Sequence, residues 1–189
     1  MNKNSTLAYI IGVSLGDGNL SCPNGRVTRL RITCDSQYPL LIQEITLKLK
    51  QLLPNNKVSL VDRKDNCVDI SVYSNTLNDF MPWKVNNGSK YVQKARVPAW
   101  IFKNNGHIKN CLKGLLQTDG SVYTDRRYKM VNFTNHTQEL AIDVHKMLVN
   151  IGYTPHFYEH SNTKQKTKYV VRVSKNTERL ISELQLKKE

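Results

Sequence analysis

From Thr6 to Asp17 the apolar positions run most of the way round a 3.6-residue period, which predicts a helix buried on more than one side, with Ser5 or Thr6 as its N-cap. Alternation then takes over. "GNLSC" and "RVTRLRITC" predict two strands around a turn at Pro23-Asn24-Gly25. "YPLLIQEITLKLKQLL" predicts an amphipathic helix ended by Pro54, and "KVSLVDR" and "CVDISVYS" a second hairpin around Lys64-Asp65-Asn66. A short helix near 75–81 closes a unit of order αββαββα. The same order follows later: a helix at 106–118, strands at 121–124 and 128–135, a helix at 137–151 stopping at Gly152, strands at 154–160 and 167–174, and a terminal helix at 176–185. Between the two lies "MPWKVNNGSKYVQKARVPAWIF", whose Gly, Asn and Pro content fits a connector, with Pro98 placed to open the next helix. The expected organisation is a first repeat over 1–82, a connector over 83–104 and a second repeat over 105–189.

Short matches support a duplication. "GVSLGDGNL" (12–20) is echoed by "GLLQTDGSV" (114–122), which sets Asp17 against Asp119 at an offset of 102. "RITCDSQ" (31–37) is echoed by "NFTNHTQ" (132–138), and "ISVYSNTL" (70–77) by "VRVSKNTE" (171–178), each at an offset of 101. Three matches in order at nearly constant offset point to one unit written twice.

Strand alternation sorts each sheet into two faces. Leu30 and Ile32 point one way, Arg29, Arg31 and Thr33 the other. Val131 and Phe133 oppose Met130, Asn132 and Thr134, and Val171 and Val173 oppose Lys168, Val170 and Arg172. Each unit therefore has an apolar face for helices and a polar, cationic face. Composition changes what that face means. With 28 Lys and Arg against 15 Asp and Glu, the 189-residue chain carries a net charge of +13, and such a surplus suits a polyanionic partner, nucleic acid first. Candidate contacts are Arg26, Arg29, Arg31, Lys57, Arg63, Tyr73, Arg126, Arg127, Lys168 and Arg172. No stretch approaches a membrane span, and the N-terminal apolar run lacks a cleavage site. The four cysteines are scattered without a Cys-x-x-Cys pair, which argues against zinc and against a disulfide framework and fits an intracellular location. The five histidines have no metal-ligand spacing.

A carboxylate at the negative end of a helix is unfavourable, and this chain places one at two such ends. If the two helices pack about a pseudo-two-fold axis, Asp17 and Asp119 meet at the floor of the basic groove. Two carboxylates with adjoining helix-end carbonyls form a hard-oxygen site suited to Mg²⁺. Gly12 and Gly114, each five residues before its Asp, would let the helix backbones approach, at about 1 kcal/mol per interior glycine in helix propensity.

These residues carry a resemblance. "IIGVSLGDG" and "LKGLLQTDG" are similar to the two copies of the motif that names the LAGLIDADG homing endonucleases, and "KARVPAWIF" resembles a Lys-x-x-x-Pro-x-x-Ile-Phe stretch often found between them. The resemblance spans nearly the whole chain and is to free-standing, single-chain, two-repeat members encoded in introns. It implies an α+β fold of two pseudo-symmetric αββαββα units, with paired central helices and two saddle-shaped antiparallel sheets. The implied activity is site-specific cleavage of both strands of a long asymmetric double-stranded DNA site, leaving short 3′ overhangs, by metal-assisted in-line hydrolysis with Mg²⁺, or Mn²⁺ or Ca²⁺ in its place. By carry-over Asp17 and Asp119 are the metal ligands, with the carbonyls of Gly16 and Thr118. The family often has Gln or Asn just after the second strand. Asn135 fits; Cys34 departs from the pattern, with Asp35, Gln37 and His136 nearby. The first active site is thus expected to differ from the second, with one strand cut more slowly. A basic residue near each scissile phosphate is implied too, Lys94 for one site and Lys187 or Lys188 for the other. A monomer is expected. The alternatives are an RNA-binding maturase acting on its own intron RNA, which has no need of two metal-binding acids, and a catalytically inactive DNA-binding protein on the same scaffold. The abundance of Lys, Asn and Ile hints at an AT-rich, organellar coding sequence.

Overall fold

The computed structural model describes residues 2–163 and 165–186. The first unit runs α1 (Ser5–Asp17), β1 (Gly18–Ser21), β2 (Arg29–Asp35), α2 (Pro39–Leu52), β3 (Val58–Asp62), β4 (Cys67–Tyr73) and α3 (Leu77–Phe80). The second runs α4 (Asn105–Thr118), β5 (Gly120–Asp125), β6 (Tyr128–Asn135), α5 (Gln138–Asn150), β7 (His156–Asn162), β8 (Gln165–Val173) and α6 (Thr177–Leu184). The mixed α+β architecture expected from the sequence is what forms. Each unit holds a four-stranded antiparallel sheet, ordered β1-β2-β4-β3 in the first and β5-β6-β8-β7 in the second.

The duplication extends to register. Gly18 faces Ile32 across β1–β2, and Gly120 faces Phe133 across β5–β6; Ile32 then faces Ile70, as Phe133 faces Val171. Leu30, Ile32, Val131, Phe133, Val171 and Val173 are all buried, and the helices cover that face. A helix laid on one face of a sheet explains the alternation in β2, where a one-residue slip would turn the arginines inward.

α1 is buried from Leu7 to Leu15 without a break, because α4, α2 and its own sheet surround it. Its packing on α4 depends on glycine. A Cβ on Gly12 would collide with the carbonyl oxygen of Cys111, and one on Gly114 with that of Tyr9. Gly16 faces Thr118 in the same way, and Gly106 lies near Ser5. Early residues meet early residues and late meet late, so the two helices run parallel and end together. A buried polar chain adds specificity: the Tyr9 hydroxyl donates to Gln117 Oε1 (2.9 Å), and Lys113 Nζ lies 2.5 Å from Glu44 Oε1 on α2. Burial, reinforced by the nearby Glu44, pushes the Tyr9 hydroxyl upward, which keeps it a donor.

Several boundaries differ from the sequence reading. The N-cap of α1 is Asn4, whose Oδ1 accepts from Leu7 N (2.8 Å), rather than Ser5 or Thr6; Asn104 caps α4 identically, accepting from His107 N (3.1 Å). Asparagine is at least as good a cap as serine, and it stands one residue earlier. Pro98 opens a separate 3-10 turn, Ala99–Lys103, and α4 begins only after it. Val170 lies on the outward row yet is buried, lining a cleft with the longer Lys166 and Lys168. Among the described residues no helix is long and apolar enough to cross a membrane.

Candidate active site

The parallel helices deliver their acids to one place. Asp17 is the last residue of α1 and exposed; Asp119 caps the C-terminus of α4 and is half-buried. Helix ends leave carbonyls without intrahelical donors, so this is a point of concentrated negative potential. In the second unit the carboxylate is held from behind. Asn135 Nδ2 donates to Asp119 Oδ2 (2.7 Å), while Asn135 Oδ1 accepts from Thr137 N (2.8 Å). The backbone donor fixes the amide so that its NH₂ faces the carboxylate. The Asp119 carbonyl accepts from Thr134 N (3.2 Å), and Thr118 Oγ1 turns back onto Gly114 O and Leu115 O.

In the first unit the register places Cys34 at the position of Asn135, and Cys34 is buried against the core. A thiol cannot reproduce the clamped amide. Asp35 takes over the local turn instead, its Oδ1 accepting from Gln37 N (2.9 Å). His136 is exposed and its Nδ1 lies 2.9 Å from the Thr167 carbonyl oxygen.

The sequence reading missed the cation at this point. Lys90, from the connector, reaches back to the end of α1, where its Nζ donates to Ser14 O (3.1 Å), Leu15 O (2.8 Å) and Gly16 O. Its ammonium also sits 5.5 Å from the ring centre of the buried Trp83. Burial pulls the Lys90 pKa down to about 8, against Asp119 and Asp17, whose charges favour the ammonium. Gly16 lies against Thr118, and these are the residues just before the two acids, so the two helix ends converge. Lys94 is elsewhere: exposed, at a φ of 48°, with its Nζ 3.6 Å from Glu139 Oε1. The sequence contained the signal, a demand for a cation at the helix ends, but choosing among Lys84, Lys90 and Lys94 needs the path of the connector. Lys187 and Lys188 lie outside the described residues.

A cleft of about 380 Å³ opens beside Gly16, Lys90, Asp119, Asn135 and His136. Among the described residues no group of three His, Cys, Asp or Glu side chains could hold a metal ion. A divalent ion here would rely on the two carboxylates, the Gly16 and Thr118 carbonyls, water and a ligand oxygen, a donor set for Mg²⁺, Mn²⁺ or Ca²⁺ rather than Zn²⁺. The Gly16 carbonyl already accepts from one cation, the Lys90 ammonium, so the donor set fits such an ion.

The cationic side chains lie along the outward faces and their rims. Arg29 Nε donates to Ser21 Oγ (3.2 Å). Arg31 and Arg63 flank Asp69 Oδ2 at 3.8 and 3.7 Å, and Thr33 Oγ1 donates to Asp69 Oδ1 (2.6 Å). Arg26, Lys57 and Tyr73 are exposed at the ends of the first sheet. On the second sheet Arg172 Nε donates to Asn132 Oδ1 (3.2 Å), with its guanidinium 5.4 Å over the Tyr158 ring, and Lys168 is exposed beside it. Arg126 and Arg127 form the tip of the β5–β6 hairpin. Sequence reasoning passed over Asp69, the acid that holds two of these arginines in place.

Comparison with known proteins bears on the fold. Residues 107–186 match the LAGLIDADG-like domain. The crystal structure of I-DmoI in complex with DNA and manganese superposes with a TM-score of 0.68 at 21% identity, covering 95% of this chain and 96% of that one. The chain therefore has the two-repeat LAGLIDADG fold. The chain is also 26% identical over 174 residues to the ribonucleoside-diphosphate reductase NrdEB subunit alpha of Bacillus subtilis, covering 84% of this chain and 15% of that protein. It is 28% identical over 157 residues to a DNA polymerase of Thermococcus hydrothermalis, covering 81% of this chain and 9% of that protein. The chain thus spans a small part of each of these relatives.

Proposed function

We propose that this LAGLIDADG protein is a divalent-metal-dependent endonuclease that cuts both strands of a long duplex DNA site. The observation that carries the proposal is the joint C-terminal end of α1 and α4, where Gly16 meets Thr118, Asp17 and Asp119 follow directly, and the Gly16 carbonyl accepts from a cation, between two cationic sheet faces. I-DmoI, which shares the fold, has been solved with DNA and manganese and with DNA and calcium, and a variant of it with its target DNA in magnesium.

The chain's own residues have distinct tasks. Arginines and lysines on the sheets neutralise phosphates and set the duplex across the helix ends. Asp17 and Asp119, with the Gly16 and Thr118 carbonyls, hold the metal; when bound, it makes an attacking water more acidic and stabilises the departing 3′ oxygen. Asn135 keeps Asp119 aimed at that centre. Lys90 supplies the positive charge beside the cleft that had been expected of Lys94. Because one chain contributes both acids, a monomer suffices for both cuts.

The test is incubation with a randomised library of DNA duplexes and Mg²⁺, with the ends sequenced. One enriched site with staggered 3′ ends is expected. Binding of DNA without any cut in Mg²⁺ or Mn²⁺ would leave a DNA-binding protein; tight binding of intron RNA without a cut would leave a maturase.

A further inference from the structure

Lys90 does more than lie near two acids. A lysine ammonium has three protons, and all three are used on successive carbonyls of the last turn of α1, those of Ser14, Leu15 and Gly16. In this arrangement it has no donor left for a phosphate. The side chain is held there from several sides. Trp83 is buried beneath it, the connector turn is closed by Ala95 N donating to Lys90 O (2.9 Å), and Gln93 bridges Lys84 O and Gly88 O (2.9 and 2.8 Å). Further along, Arg96 Nε and Val97 N both donate to the buried Asp143 on α5 (3.1 and 3.0 Å), tying the connector to the second unit.

We propose that Lys90 is a built-in counter-cation, which neutralises the helix ends in the metal-free protein and has to leave the Gly16 carbonyl when a divalent ion binds. The proposal presupposes that the helix ends bind such an ion. Without a cation, two carboxylates and the negative ends of two helix dipoles would face one another at close range, and the α1–α4 pair would be pushed apart. With Lys90 in place the pair is stable before metal or DNA arrives. The Gly16 carbonyl is the atom both cations want, and two cations sharing one oxygen repel strongly in a half-buried site. Metal entry therefore frees the ammonium, whose four-carbon stem can then carry three unused donors into the cleft where a phosphate would lie. Lys90 is a positioning residue in the first state and becomes an anion-binding group in the second.

The experiment compares the wild type with Lys90→Met and Lys90→Arg. Melting in EDTA reads the metal-free state, and Mn²⁺ binding by electron paramagnetic resonance without DNA reads the competition, neither depending on cleavage. Expected for Lys90→Met is a melting point lower by several degrees in EDTA, about tenfold tighter Mn²⁺ binding, and a melting gap that closes as Mn²⁺ is added; Lys90→Arg should keep most of the metal-free stability. A lower melting point with unchanged or weaker Mn²⁺ affinity would reduce Lys90 to a helix cap and overturn the displacement. Mn²⁺ bound by neither protein would overturn the metal-site proposal itself. Should Lys90→Met fail to fold, the wild type still decides: acylation of Lys90 by an amine reagent, followed by peptide mass spectrometry, should be slow in EDTA and accelerate on adding Mn²⁺, and equal rates would contradict displacement.

Discussion

In the second repeat the helix acid Asp119 is half-buried and braced by Asn135, whose amide is itself locked by Thr137 N. In the first repeat Asp17 is exposed, and the strand position behind it is Cys34, turned into the core. The two repeats share strand order, pairing register, helix caps at Asn4 and Asn104, and helix-contact glycines at Gly12 and Gly114. They differ in side chains that do not set the backbone. Gly12 and Gly114, where the two helix backbones touch, are kept, as are the two acids, whereas the side chain behind each acid and most of those on the outward faces, such as Arg31 against Asn132, have diverged. On the proposed function, that division would suit an asymmetric DNA site, read by unlike contacts on a pseudo-symmetric frame.

The largest effect tests what the repeats have in common. Asp17→Asn and Asp119→Asn should each lower cleavage about a thousandfold, the loss of several kcal/mol of charge stabilisation, while DNA binding is kept or tightened because a negative charge is removed. Full cleavage by either variant would remove that carboxylate from the metal site. A smaller effect tests how they differ. Asn135→Cys should slow one strand's cut about tenfold, from the loss of a hydrogen bond to a charged group, and Cys34→Asn should speed the slower cut by a similar factor. Strand-labelled DNA and gel separation of nicked from linear product give both rates; equal strand rates in all three proteins would make the asymmetry irrelevant to catalysis.

The smallest effect concerns the hairpin tips. The first repeat turns through Pro23-Asn24-Gly25, with glycine at a φ of 64°, whereas the second makes a two-residue turn with Arg126 at 47° and Arg127 at 73°. Side chains other than glycine and asparagine lose about 1 kcal/mol or more in that region, and Asn-Gly is the favoured pair for such a turn. Replacing Arg126 and Arg127 by Asn and Gly should raise the melting point by a few degrees, weaken DNA binding and reduce the salt dependence by about two phosphate contacts. A stabilised variant with unchanged affinity would show that the arginines touch no DNA.

Most of the fold was legible because it is written in periodicity. Alternation in β2 and β6, the all-round apolar run of α1 and the repeated Asp-Gly pair determine the layers, the parallel helix pair and the place of both acids. The misses have specific physical causes. Asn4 and Asn104 repeat at an offset of 100, but the cap pair lay outside the three matches used to find the duplication. Val170 falls on the outward row, yet its burial depends on the longer neighbours around it, which alternation does not encode. Lys90 escaped because electrostatics demands a cation at the helix ends without naming which connector lysine arrives, and that is decided by the Gln93 and Asp143 tethers. Asp69 was passed over because only the third dimension shows it gathering Arg31, Arg63 and Thr33.

The central claim is that the ends of α1 and α4 together hold a divalent ion beneath bound DNA. The most direct measurement is anomalous diffraction at the manganese edge from crystals of the protein with Mn²⁺ and a duplex selected from the library. Expected is a peak within coordination distance of the Asp17 and Asp119 carboxylates and the Gly16 carbonyl, with the Lys90 ammonium moved off that oxygen. Manganese peaks only elsewhere, or none with Lys90 still seated on Gly16, would contradict it.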